Sequence, residues 1–356
     1  MSVVPERWEH GSDFHWPVFP LASDSGSVGH PATFYGSGRD ALRALLSRGR
    51  QAHNWHRFLV PDYFCQEVVA SLLSLGLPIQ TYADNPSCAG PNLDQARLSS
   101  GDAVLIVNYF GLRERPELGS LPSGVAVVED HTHDPYSEWA RLSTATYCLA
   151  SLRKTLPVPG GGVLWSPQGM SLPLAPPPTS VCELGFLRRL VGMVLKDLYL
   201  GGHAVEKETF RQLLLAGEGD LAIGDISGMP CWANDLLRTL PIEDWRDRKR
   251  DNYRQFAALT AGCPSYVLLA PAPYSKACPF SLVLLFDTPD RRDQVRRYLI
   301  QKRVYPAILW SLEEPVVSDI SSETEDFSRR MLSLHCDMRY GPQDIERLAD
   351  LLRCAL

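Results

Sequence analysis

Cys148-Leu149-Ala150-Ser151-Leu152-Arg153-Lys154-Thr155-Leu156-Pro157-Val158-Pro159-Gly160-Gly161-Gly162 is the stretch from which the rest of the chain is read. A strand-like run ends at Ser151, a lysine follows three residues later, and a triple glycine leads into Val163-Leu164-Trp165. A lysine at a strand end in a glycine-lined bend can condense with an aldehyde once its ammonium loses a proton. The chain has six lysines, and lysines are mostly solvated surface groups. Lys196, Lys207, Lys249 and Lys302 fall in charged helical patterns and Lys276 in a proline-rich loop. Lys154 alone lies between a strand and a glycine bend.

With 356 residues, the chain has room for one large domain and a smaller one, each with its own core. A net charge of -6 and the lack of a basic stripe argue against a nucleic-acid or anionic-membrane partner. Met1 to His15 carries acids and histidines where a signal peptide needs an apolar core. The longest apolar helix pattern, Leu184 to Leu200, is interrupted by Arg188, Arg189, Lys196 and Asp197, which makes it amphipathic rather than membrane-spanning. Nine scattered cysteines without a CxxC pair indicate reduced thiols and a cytoplasmic protein.

Residues 1-33 read as an extended lead-in. Gly36-Ser37-Gly38-Arg39-Asp40 then runs into a helix with Leu42, Leu45 and Leu46 on one face. Glycines at a helix start leave N–H groups pointing outward, where a phosphate can bind; the same residues also suit a plain capped helix. Runs at 57-61, 79-82, 103-107 and 125-128 are strand-like, and the last two are continuously apolar, as in parallel strands buried on both faces. Helices between them imply a mixed, mostly parallel α/β sheet. The run at 125-128 stops at Glu129-Asp130-His131-Thr132-His133-Asp134, two acids at the strand end where ligands gather in such sheets. Further on, Pro241 suits the first turn of a long bridging helix. Strands at 280-286, 304-310 and 331-335, with helices at 290-302 and 342-352, read as a small α+β domain. The expected division is 1-240 and 241-356.

In order along the chain, a glycine loop opening a helix, an acid ending a strand, and Ser-x-x-Lys before a glycine bend resemble the fold type I enzymes that use pyridoxal phosphate (PLP). Within them the chain resembles the DegT/DnrJ/EryC1/StrS aminotransferases, many of which act on nucleotide-linked keto-sugars. Ser37-Gly38-Arg39-Asp40-Ala41-Leu42 is similar to that family's Ser-Gly-Thr-x-Ala-Leu, Val128-Glu129-Asp130 to its acidic strand end, and Lys154 with Gly161-Gly162 to its lysine and Gly-Gly. The resemblance implies an aspartate aminotransferase-like large domain and a homodimer. It also implies that Asp130 pairs with the pyridine nitrogen, that Lys154 holds the cofactor as a Schiff base and moves the substrate proton, and that Gly38, Arg39, Ser37 and Ser151 hold the phosphate. Tyr63 or Phe64 would stack on the ring. His133 stands where the family commonly has glutamine, the serine of Ser-x-x-Lys lies nearer the lysine than usual, and the family's intersubunit Asn-Tyr-Arg is not recognisable between 223 and 240.

The implied activity is transfer of an amino group from an amino-acid donor to a keto acceptor. A lyase-type PLP reaction and a non-catalytic PLP-fold protein are the neighbouring readings. From another class, His131-Thr132-His133 has the spacing of metal ligands in a hydrolase, although no second histidine pair accompanies it. Arg339 is a candidate carboxylate anchor by charge alone, against the plainer reading of a structural surface arginine.

Overall fold

The computed structural model describes residues 7–16, 28–222, 224–271 and 276–356. After β1 (His10–Gly11), the chain enters β2 (Ala32–Tyr35) and turns into α1 (Gly38–Ala52), which buries Leu42, Leu45 and Leu46. It continues through β3 (Arg57–Pro61), α2 (Gln66–Leu73), β4 (Ile79–Tyr82), β5 (Asp102–Val107), β6 (Ala126–Asp130), α3 (Glu138–Arg141), β7 (Tyr147–Ser151) and β8 (Gly162–Trp165). Strands β2 to β8 form one seven-stranded sheet in the order β2-β8-β7-β6-β5-β3-β4. Every pairing from β4 to β7 is parallel, and β8 runs antiparallel to both of its neighbours. All six residues of β5 are buried, as a continuous apolar run requires. The mixed, mostly parallel α/β sheet expected from the sequence is therefore present.

A helical hairpin, α4 (Ser180–Leu200) and α5 (Lys207–Ala222), follows, then α6 (Cys231–Leu237) and α7 (Ile242–Leu259). Pro241 is the residue that caps α7, one position before the first turn. The remaining chain forms β9 (Tyr266–Leu268), β10 (Leu282–Phe286), α8 (Pro289–Gln301), β11 (Val304–Tyr305), α9 (Ser322–Arg330), β12 (Met331–Leu334) and α10 (Pro342–Ala355). Antiparallel β9, β10 and β12 make a three-stranded sheet. Its Val283 and Met331 pack into the same apolar cluster as Leu42, Phe58 and Leu105, so the two sheets share a core.

Two local readings differ. The strand expected over 304-310 is cut to two residues, ending at Tyr305 beside β1 because Pro306 has no amide hydrogen to extend that ladder, and Ala307 then makes a single antiparallel bridge to Ser333. Helix α9 was not legible because its nine residues include one large apolar side chain, Phe327. The lead-in expected over 1-33 is described at residues 7–16 and from 28 on; residues 1–6 and 17–27 lie outside the described residues.

Candidate active site

The carboxyl ends of β2, β3, β5, β6 and β7 lie along one edge of the sheet, where open α/β folds bind their ligands. The glycine bend is stapled to the start of α1 there: Gly161 donates to the Gly36 carbonyl at 2.8 Å, and Leu152 donates to the Gly161 carbonyl at 2.9 Å. Gly161 has φ +109°, and a Cβ on Gly162 would stand 2.2 Å from the Ser37 carbonyl oxygen. No side chain fits at either position. This close approach sets Ser151 against the N-terminus of α1, and a single 3-10 turn leads from there to Lys154.

Lys154 forms no hydrogen bond or ion pair with any described residue and is exposed on one side. The neighbouring Arg153 charge, followed by the protein closing around its other sides, lowers its ammonium from 10.5 to about 8. At the end of β6, Asp130 is buried, and one carboxylate oxygen accepts the Thr132 amide hydrogen at 2.8 Å. The Thr132 hydroxyl also lies against the carboxylate, and burial outweighs both contacts and raises its pKa. Thr132 also accepts the Ser151 amide hydrogen at 3.0 Å, tying the ends of β6 and β7 together. The Nδ1 of His133 accepts from the Phe110 amide at 3.0 Å, which places the ring proton on Nε2. Burial, then the charge of Lys154, lowers His133 to about 3, so it is neutral.

At the start of α1 the N–H groups of Gly38 and Arg39 have no partner among the described residues. Ser151 lies against them: a Cβ on Gly38 would come within 2.8 Å of the Ser151 Cβ. The Ser37 hydroxyl is engaged elsewhere, accepting from the Asp40 amide at 3.1 Å and donating to the Asp40 carboxylate at 2.9 Å. Burial raises that carboxyl to about 6.

Tyr63 and Phe64 are both buried, Tyr63 against Tyr109, Phe327 and Trp310, and Phe64 against Trp310. Half-buried Phe280 and Trp310 lie 4.4 and 5.7 Å from the His133 ring, with Phe110 at 5.3 Å. Sequence reading missed these three rings, which come from segments distant in sequence from the lysine and fall in no motif, and it gave no role to Thr132 within the strand-end run. The histidines of the metal-ligand reading do not converge. His131 sits between Trp139 and Trp165 and bonds Glu129 at 2.9 Å, while His133 uses its Nδ1 on Phe110. Arg339 is buried, bonding both oxygens of Asp337 at 2.8 Å, so it is a structural ion pair and not a surface arginine. All nine cysteines are unpaired.

These features fit a phosphorylated pyridine aldehyde: an unpartnered lysine with a lowered pKa, a buried carboxylate held by Thr132 with no cation paired to it, and two free amides beside a serine. No family model and no curated protein matches the sequence. Solved structures do. Helicobacter pylori PseC, an aminotransferase involved in the biosynthesis of pseudoaminic acid, aligns over 98% of this chain and 99% of its own, with TM-score 0.63 and 10% identity. DesI, solved in the presence of its TDP-sugar product, aligns over 91% and 80%, with TM-score 0.58 and 17% identity. A DegT DnrJ EryC1 StrS aminotransferase from Brucella abortus aligns over 92% and 86%, with TM-score 0.55 and 12% identity. At these identities the likeness establishes the fold, which is that of the sugar aminotransferases.

Proposed function

We propose that the chain is a PLP-dependent aminotransferase that moves an amino group from an amino-acid donor to a keto acceptor, with a nucleotide-linked keto-sugar as the acceptor class. The carrying observation is the pair at one sheet edge: Lys154, unpartnered and lowered to about 8, and Asp130, buried and oriented by Thr132 with no cation paired to it. The fold shared with DesI and PseC supports the acceptor class.

When bound, PLP supplies an electron sink for the charge left on a substrate carbon that has lost its proton. The protein's own groups do the rest. Asp130 binds a cationic ring nitrogen, and that pairing satisfies a carboxylate which burial otherwise disfavours. Thr132 fixes its orientation through the amide bond to one oxygen. Gly38 and Arg39 amides, with the Ser151 hydroxyl, bind phosphate at the positive end of α1. Neutral His133 directs an Nε2–H donor. A pKa of about 8 leaves the Lys154 amine partly free of its proton near neutral pH, so Nζ can accept a proton from one carbon and return it to another.

No helix among the described residues is long and apolar enough to cross a membrane. A cytoplasmic homodimer is part of this reading. It is supported by the resemblance and by the face of α4 that leaves Val181, Leu184, Leu187, Val191, Val194 and Leu198 exposed at spacings of three and four residues, the seam a second copy would cover. The test is an absorption spectrum of the purified protein with PLP, before and after borohydride. Wild type should show a visible band that borohydride fixes to Lys154, and Lys154→Ala should not. A protein that stays colourless with added PLP refutes the reading. One that binds PLP but exchanges amino groups with no donor belongs to the lyase or non-catalytic class.

A further inference from the structure

Beside the start of α1, three guanidinium groups converge on one carboxylate. Arg153 donates to Glu218 at 2.5 Å, Arg189 donates to the other Glu218 oxygen at 3.1 Å, and Arg39 stands 4.0 Å away. Arg189 is fixed from behind, donating to the Pro159 carbonyl at 2.7 Å and lying 3.3 Å from Asp13. Arg39 and Arg153 have no such anchor; their one described side-chain partner is Glu218. Their side chains are 14% and 13% exposed, against 34% for Glu218, so the carboxylate is on the outer side of the cluster. Three cations face two carboxylates, with Lys154 adding positive charge when protonated. Burial pushes the Arg153 guanidinium down, and the charges of Arg189 and Arg39 push it further despite Glu218. An excess of partly buried positive charge next to two unpartnered amides requires another anion.

We infer that Arg39 and Arg153 are phosphate ligands, and that Glu218 is an internal anion which occupies them until a phosphate dianion arrives and takes its place. The inference rests on the proposed cofactor reading for the source of the phosphate. Its distinctive consequence is the sign of the Glu218 effect. A carboxylate that merely positions the arginines helps an anion bind, whereas one that competes for them hinders it. Glutamine retains the oxygen that accepts from Arg153 and removes the charge.

The experiment compares wild type with Arg39→Gln, Arg153→Gln and Glu218→Gln, titrating each with PLP, with unphosphorylated pyridoxal and with inorganic phosphate. Binding of the aldehydes is read by absorbance and that of phosphate by the thermal shift of the cofactor-free protein. Loss of one charge-assisted contact should weaken PLP about tenfold in each arginine variant. The loss should appear as a roughly tenfold fall in the ratio of PLP affinity to pyridoxal affinity in each arginine variant. That ratio cancels any change in Lys154 basicity caused by losing Arg153. Glu218→Gln should tighten both PLP and phosphate. An unchanged ratio in both arginine variants, or weaker phosphate binding in Glu218→Gln, overturns the inference. If one arginine variant fails to fold, the other and Glu218→Gln decide it. Wild type that binds neither aldehyde defeats the cofactor reading, while the phosphate arm still tests the clamp.

Discussion

Replacing glycine by alanine at two positions should change stability in opposite directions. A Cβ on Gly162 would lie 2.2 Å from the Ser37 oxygen, 2.4 Å from its carbonyl carbon and 2.7 Å from the Gly38 nitrogen. All three are backbone atoms of the α1 N-terminus and cannot rotate away. Relief requires moving β8 and α1 apart by about 1 Å, and overpacking of this kind costs roughly 3 kcal/mol. At about 1–2 °C per kcal/mol for a chain this long, Gly162→Ala should melt roughly 4–6 °C below wild type. Gly219, inside α5, has nothing within 4 Å of its Cβ position. Alanine there gains helix propensity of about 1 kcal/mol, so Gly219→Ala should melt about 1–2 °C above wild type. Thermal unfolding followed by circular dichroism reads both. Because the Gly162 clash also displaces the free amides of Gly38 and Arg39, that variant should lose affinity for PLP more than for pyridoxal, and Gly219→Ala should lose neither. Equal melting temperatures for Gly162→Ala and wild type would refute the close approach from which the lysine's placement is argued.

Other substitutions probe the site's charges and the exposed face of α4. Reaction of Lys154 with an amine-specific reagent in the cofactor-free protein should rise with pH through a midpoint of about 8, and Arg153→Gln should move that midpoint upward, since the Arg153 charge is the largest cause of the depression. Asp130→Asn should weaken PLP by roughly 2–5 kcal/mol, read by absorbance titration, because it removes one member of a buried charge pair. The same variant should raise the melting temperature of the cofactor-free protein at neutral pH. A carboxyl whose folded pKa is raised is destabilising once ionised, so that gain should vanish as pH falls below the unfolded value. Leu187→Glu with Val191→Glu places charges in the centre of the α4 stripe and should yield a monomer by light scattering if a second copy covers it.

Much of the sheet was legible because buried parallel strands are continuous apolar runs. β3, β4, β5, β6 and β7 lie within two residues of their expected bounds. β2 and β9 were not, because four and three residues are too short for a period to show, and α9 was not because its nine residues carry one large apolar side chain. At the candidate site, local spacing pointed to Lys154, Asp130, Ser151 and the 36-40 loop, since each lies at a strand end or helix start that has a sequence signal of its own.

The sequence by itself determined the order of strands and helices, the singular setting of Lys154 and the acids ending β6, because these depend on neighbours along the chain. Only the tertiary structure decided what those groups meet. Gly162 pressed onto Ser37, Thr132 bridging Asp130 to Ser151, Trp310 and Phe280 around His133, and Glu218 under three arginines join segments up to 180 residues apart. The same packing separated His131 from His133, which spacing alone had placed together as metal ligands. Distances between such residues, and the desolvation that shifts Asp130 and His133, arise when the chain closes on itself and are not encoded in any local pattern.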